Sequence, residues 1–213
     1  MKRFHPSKMG TNYHHGDLKN ALIRSGLEIL STQGIQDLSL RKVARAAGVS
    51  EAAPYRHFKD KETLLAAIAE QGFIRLAERL EQMEEQYAED ARSLFYQSSR
   101  AYIQFARDNP HSMRVMFRFR NTEDEVRFPD LQEAADEVFS YFIDIVEYCQ
   151  QAGLARAGHP LPLALAAWST VHGLSMLLID RCISPDVFHR SDENTMITAA
   201  LDMVLTGWQA HPY

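Results

Sequence analysis

The sequence predicts an all-α fold of about nine helices, a small N-terminal unit followed by a larger helical body. Three observations lead there. Alternating apolar–polar strand patterning is almost absent. Apolar residues recur at three- and four-residue spacing nearly from end to end. Glycine, proline and capping residues fall where such helices need to start or stop.

Helix one is expected to begin near Asp17, whose carboxylate can cap free amides, and to turn Leu18, Ala21, Leu22, Leu27 and Leu30 inward. Gly34 ends it. Ser39 caps a short second helix running to Ala47, and Gly48 supplies the turn. Ser50 then caps a third helix, Glu51 to Phe58. Asp60 starts a longer fourth, bearing Leu64, Leu65, Ile68, Phe73, Leu76 and Leu80. The polar stretch Glu81 to Asp90 leads into a helix that ends before Pro110. A further helix spans roughly His111 to Arg120, Asn121 to Asp130 is irregular, and Leu131 to Gly153 is long and helical. Leu161 to Cys182 and Asn194 to Gln209 come last, separated by Ser184-Pro185-Asp186. No internal repeat or low-complexity tract interrupts this order.

The apolar stretch Leu161 to Ile179 has nearly the length of a membrane span, but Ser169, Thr170, His172 and Ser175 would be costly in hydrocarbon. It reads as a wholly buried helix in a helical core. With 213 residues, 46% hydrophobic and 24% charged, the composition is that of an ordinary soluble protein. The basic opening residues precede no apolar run of signal-peptide length, so a cytoplasmic protein without a membrane partner is expected. Cys149 and Cys182 sit in apolar surroundings without metal-ligand spacing, and read as two reduced, buried thiols, with a disulfide as the alternative.

Charge is unevenly distributed. Residues 1–62 hold 11 Lys/Arg against 6 Asp/Glu, a formal +5, whereas residues 63–213 hold 12 against 22, a formal −10. A basic head on an acidic body suggests that only the head meets a polyanion. Catalysis finds no support: no nucleophile–base pair, metal cluster, glycine-rich phosphate loop or suggestively spaced acids occur. His14 and His15 lack further ligands at workable spacing, and Glu137, Asp144 and Glu147 read as a solvated face. No cofactor or metal is therefore expected.

The segment from Leu38 to Phe58 has the grammar of a helix-turn-helix. Ala44 and Ala47 let two short helices cross closely, Gly48 tolerates the positive φ of the turn, and Val43, Val49, Tyr55 and Phe58 supply apolar anchors. A capping serine aims the third helix, whose leading amides and small side chains can enter a major groove. A plain helical hairpin would use similar packing residues.

Gly48-Val49-Ser50 followed by Tyr55-Arg56-His57-Phe58-Lys59-Asp60-Lys61-Glu62-Thr63-Leu64-Leu65 resembles the DNA-binding signature of the tetracycline-repressor (TetR) family. His14-His15-Gly16-Asp17-Leu18 is similar to the opening of many members, and the likeness covers roughly residues 14–80. Trp168-Ser169-Thr170-Val171-His172-Gly173 resembles a Trp-x-x-x-His-Gly element of one subset. The resemblance implies a DNA-binding unit at 1–60 and an effector-binding, dimerising unit at 61–213. It implies DNA contacts from Ser39, Arg41, Lys42, Ser50, Glu51, Ala52, Ala53, Tyr55, Arg56, His57 and Lys61. Arg41 would reach a base or phosphate; Tyr55, His57 and Lys61 would meet phosphates. Lys42 and Arg56 would add field or lie on a solvated face. Pro54 departs from the family's commoner leucine or phenylalanine; in a first turn it loses at most one bond, so the helix should survive. Lys2, Arg3 and Lys8 form an arm that would touch DNA or hang free.

In the body, the last two helices (about 161–182 and 194–209) resemble the family's dimer interface. Candidate effector contacts are Phe105, Met113, Met116, Phe117, Phe139, Phe142, Trp168, His172 and Met176, with an aromatic or aliphatic ligand favoured; the same residues also suit an ordinary core. Trp168, His172 and Ser175 share one helical face, so His172 either orients a ligand or is satisfied by a backbone carbonyl. Arg114 and Arg118 would pair with Glu123 or Asp124. The resulting expectation is a homodimeric repressor released from a palindromic operator by a small apolar effector. The alternative is a DNA-cued architectural or cell-division factor on the same fold.

Overall fold

The computed structural model describes residues 16–119, 122–184 and 192–209, with the side chains of Asp17, Thr122, Glu123 and Glu125 left out. The expected arm with Lys2, Arg3 and Lys8, the pair His14 and His15, the Asp17 cap, a Glu123 ion pair and Pro185-Asp186 lie outside what it describes. Among the described residues there are nine α-helices and no strand: α1 (Gly16–Gln33), α2 (Leu40–Ala46), α3 (Lys61–Tyr87), α4 (Ala91–Asp108), α5 (Pro110–Met116), α6 (Thr122–Arg127), α7 (Pro129–Gln151), α8 (Leu161–Ile179) and α9 (Glu193–Gln209). Two single 3-10 turns, Ile35–Asp37 and Pro54–Arg56, complete the order.

The chain divides into two compact units, Met1–Phe73 with His111–Glu133, and Ile74–Pro110 with Ala134–Tyr213. In the first, Leu22 and Leu30 of α1 are fully buried as their spacing suggests, joined by Ile23 and Ile29. They share a core with Leu38, Val43, Phe58, Leu64, Leu65, Ile68 and Phe73. Gly34, at φ +81° and ψ 173°, takes an extended positive-φ conformation that favours glycine, and α1 stops before it. Asp60 caps α3, accepting from the Thr63 N–H at 2.8 Å. Gly72 is where α5 comes closest: a Cβ there would lie 2.7 Å from Met116.

In the second unit, α4 packs on α8 and α9, and α8 on α9. Phe95 and Trp208 meet at 4.9 Å between ring centroids. Asp90 caps α4 through the N–H groups of Arg92 and Ser93 at 3.0 and 3.1 Å.

Several elements differ from the expectation. Glu51 to Phe58 is a turn followed by one 3-10 turn, not an α-helix. The polar run from Glu81 continues α3 to Tyr87, because its glutamates, glutamines and methionine are good helix formers despite their polarity. Part of the expected irregular stretch is helix α6, closed by the Phe128 N–H on the Asp124 carbonyl at 2.8 Å and followed at once by Pro129 opening α7. Helix α8 is not buried all round: Leu163, Ala164, Ala167, Val171 and Ser175 face inward, while Leu161, Leu165 and Leu177 are exposed. Length and apolar composition alone would let α8 cross a membrane. Cys149 is buried as expected, but Cys182 is exposed, since α8 stops at Ile179 and leaves it in the following turn.

Candidate DNA-binding surface and ligand cluster

The helix-turn-helix assembles from local bonds. Ser39 Oγ accepts from the Lys42 N–H at 3.2 Å and so starts α2. Leu40, Val43 and Ala44 turn inward, which leaves Arg41, Lys42 and Arg45 outward. At Gly48 (φ +69°) the chain reverses, closed by Val49 N–H on the Ala44 carbonyl at 3.0 Å. Ala53 N–H then bonds the Ser50 carbonyl at 2.9 Å, a three-residue step.

Pro54 is the cause of the missing helix. Proline has no N–H to donate back to Ser50, so the segment stays tight, with Arg56 N–H on Ala53 O at 3.2 Å. The His57 and Phe58 N–H groups both bond the Pro54 carbonyl at 2.9 Å. Pro54 and Phe58 are buried, and Tyr55 is 55% exposed. Proline therefore takes the anchoring place expected of Tyr55, and the tyrosine hydroxyl is available outside.

Of the sequence-identified residues, Arg41, Lys42, Ser50, Glu51, Ala52, Tyr55 and Arg56 are exposed, and Ser39, Ala53, His57 and Lys61 are half-buried. Two cations are already engaged. Lys42 Nζ donates to Asp37 at 2.6 Å, and that hydrogen bond, with the nearby charge, holds the Asp37 carboxyl below its ordinary range. Lys61 Nζ donates to the Ile35 carbonyl at 2.6 Å, tying α3 to the 3-10 turn. Arg45 was not singled out in the sequence; it lies four residues after Arg41 on the same face of α2, a spacing that could have revealed it. Glu51 stands between the two, 3.7 Å from Arg41 and 3.8 Å from Arg45. All three are well exposed, so these attractions are weak.

In the same unit, Arg118 pairs with Glu62 at 3.1 Å. Arg127 pairs with Asp60 at 2.9 Å and lies 4.8 Å over the Phe128 ring.

The candidate effector residues fall into both units. Met113, Met116 and Phe117 belong to the first; both methionines are fully buried, and Phe117 meets Phe73 edge-on at 5.3 Å. Phe105, Phe139, Phe142, Trp168, His172 and Met176 belong to the second. There Phe139 meets Trp168 at 5.5 Å, and Trp168 meets His172 at 5.6 Å. His172 Nδ1 lies 3.0 Å from the hydroxyl of Tyr102, a fully buried residue absent from the sequence-based set. Tyr102 in turn packs edge-on against Phe142 at 5.9 Å. Ser175 instead donates to the Val171 carbonyl at 2.7 Å inside the core.

Residues 22–68 match the family described as bacterial regulatory proteins, tetR family, and residues 95–203 match the tetracyclin repressor-like C-terminal domain. A solved protein of unknown function from Rhodococcus sp. RHA1 is 32% identical, with a TM-score of 0.80, covering 94% of this chain and 100% of that one. A tetR-family regulatory protein from Rhodococcus RHA1 is 20% identical, with a TM-score of 0.66, covering 92% and 98%. The regulator FadR from Bacillus subtilis, solved with stearoyl-CoA, shares the fold at 17% identity and a TM-score of 0.69, covering 90% and 99%. The chain belongs to the tetracycline-repressor family of bacterial DNA-binding transcriptional regulators.

Proposed function

We propose that this regulator is a homodimeric repressor whose 1–60 head reads a palindromic operator in the cytoplasm and whose 61–213 body releases it on binding a small, largely apolar effector. One observation carries the reading of the head. Arg41, Arg45, Tyr55 and Arg56 are exposed around a turn whose apolar residues, Val43, Ala44, Pro54 and Phe58, are buried. Guanidinium groups on a rigid support suit phosphates and guanine edges. With Pro54 tightening the segment, Glu51, Ala52 and Ala53 form a short leading edge of small or polar groups, which suits shallow contact with a major groove.

Dimerisation through α8 and α9 is supported by the apolar surface left outside: Leu161, Leu165, Leu177 and, on α9, Met203 at 73% exposure. An effector site around His172 is supported by the half-buried Phe139, Trp168 and Met176 beside a tyrosine–histidine hydrogen bond that could orient a polar end. The stearoyl-CoA complex of the distant Bacillus relative supports a small-molecule ligand in a body of this kind. A dimer would present two heads to successive major grooves about 34 Å apart, and effector binding would spoil that spacing.

Footprinting of purified protein on genomic fragments tests the reading. The expected result is a two-fold symmetric protected site whose affinity falls steeply with salt; no protected site at low salt would refute it. Leu165→Glu should convert dimer to monomer in analytical ultracentrifugation and weaken operator binding with it.

A further inference from the structure

We infer that the cleft between α3, α4 and α9 is a second ligand site, built for an organic carboxylate with a short apolar tail. The cleft is open on one side, holds about 260 Å³, and lies wholly within the second compact unit. Arg79 of α3 and Arg100 of α4 reach its lining, with Met83, Ala101, Ile103 and Ile197 as apolar surface.

The charge balance points to an anion. Arg100 is half-buried, and its partners among the described residues are neutral: Nη2 donates to Thr198 Oγ1 at 2.6 Å and Nη1 approaches Asn194 Oδ1 at 3.4 Å. Those contacts use two of the five guanidinium donors and hold the fork in place, leaving three N–H groups for a ligand. Among the described residues, Arg79 has only a long contact to Gln82, at 3.4 Å. The third arginine, Arg107, is already paired with Glu193. The half-buried Arg100 and the exposed Arg79 thus share a cleft in which neither has a carboxylate partner among the described residues, and a planar anion matches a pre-oriented guanidinium better than a spherical one does. The apolar lining favours a carboxylate that carries hydrocarbon.

This site is separate from the cluster around His172. Residues 100 and 102 point about 200° apart on a helix of 3.6 residues per turn, so Arg100 and the buried Tyr102 serve opposite sides of α4. The inference does not depend on the DNA-binding reading, and operator binding without added carboxylate reports on that reading alone.

The test uses the full chain with sodium decanoate, 1-decanol and inorganic phosphate at constant ionic strength, followed by isothermal titration calorimetry and thermal melting. Decanoate is expected to bind with a raised melting temperature, and decanol and phosphate at least tenfold more weakly. Arg79→Gln, which removes no close contact, should weaken decanoate by about threefold or more, and Arg79→Gln with Arg100→Lys by about tenfold or more. Arg75→Gln, an exposed arginine outside the cleft, should leave binding unchanged. Equal binding of decanol, equal binding of phosphate, or an Arg79→Gln protein that melts normally and binds decanoate unweakened would each overturn the inference. So would a decanoate affinity that follows Trp168→Leu instead of the arginines.

Discussion

The Tyr141 hydroxyl donates to the Leu80 carbonyl at 2.7 Å and lies 3.0 Å from Ser98 Oγ, so that a single buried phenol joins α7 to α3 and α4 within the second unit. Burial raises its pKa above the ordinary phenol value, so the group is a neutral donor at neutral pH. Tyr141→Phe removes that donor and leaves the Ser98 hydroxyl to find another partner in a dry site. The expected cost is about 1–3 kcal/mol of unfolding free energy, read from urea melts followed by circular dichroism. A loss within error would show that the hydrogen bond has no net value.

Arg41 and Glu51 provide the sharpest test of the DNA surface. Arg41→Ala should cost about 1–3 kcal/mol if the guanidinium reads a base, with relaxed preference at one operator position. A phosphate contact would instead weaken all sequences alike and lower the salt slope by about one. Glu51→Gln removes the acid that pairs with Arg41 and Arg45 among the described residues, and should strengthen non-specific binding at low salt. Fluorescence anisotropy across a salt series distinguishes these outcomes. Unchanged affinity in Arg41→Ala would remove the Arg41 guanidinium from the interface.

Asp60 should make part of the stability acid-labile. Its carboxyl is held below the ordinary range first by the Thr63 N–H, which outweighs the opposing effect of burial, with further help from the Thr63 hydroxyl and the nearby Arg127 and Lys59 charges. A carboxyl whose folded pKa lies below its unfolded one adds stability above the unfolded value and loses it as pH falls through the folded one. Asp60→Ala should therefore cost about 1 kcal/mol at pH 7 through the lost cap, with the difference from the parent protein shrinking towards pH 2. Glu70 works oppositely. Burial raises its pKa, with Lys19 only partly compensating, so Glu70→Gln should stabilise the protein at pH 7 and progressively less as the pH drops below the carboxyl range. Denaturant midpoints measured from pH 2 to pH 7 check both signs.

The two thiols should differ in reactivity. Cys149 is buried, donates to the Ala91 carbonyl at 3.6 Å, and has its thiol pKa pushed up to about 12 by burial. Cys182 is exposed. A disulfide-exchange reagent at pH 8 should therefore titrate one thiol per native chain quickly and the second only after denaturation. Two fast thiols would mean that α4 and α7 open readily.

Much of the architecture is legible because it is written in local chemistry. Ser39, Gly48 and Asp60 announce the starts and turn of the DNA-binding unit by capping and positive φ, and each does so here. The six apolar residues named for α3, from Leu64 to Leu80, are all buried. Failures arose where a non-local partner or a missing donor decides the outcome. Spacing suggests a third helix through Pro54, yet its absent N–H leaves a 3-10 turn, and the side that is buried then includes Pro54 instead of Tyr55. Helix α6 looks too polar to count; it is accompanied by Arg127 on Asp60 and by Phe128 on Phe119 at 5.3 Å.

By itself the sequence determined the helical class, the basic head and the turn that follows Arg41, because caps, periodicity and charge act over a few residues. Only the tertiary structure decided which side of α8 stays apolar and exposed, that Tyr102 meets His172, and that Arg79 and Arg100 share a cleft. Those are relations between residues tens of positions apart, and no local rule of spacing or propensity encodes which distant side chains will meet.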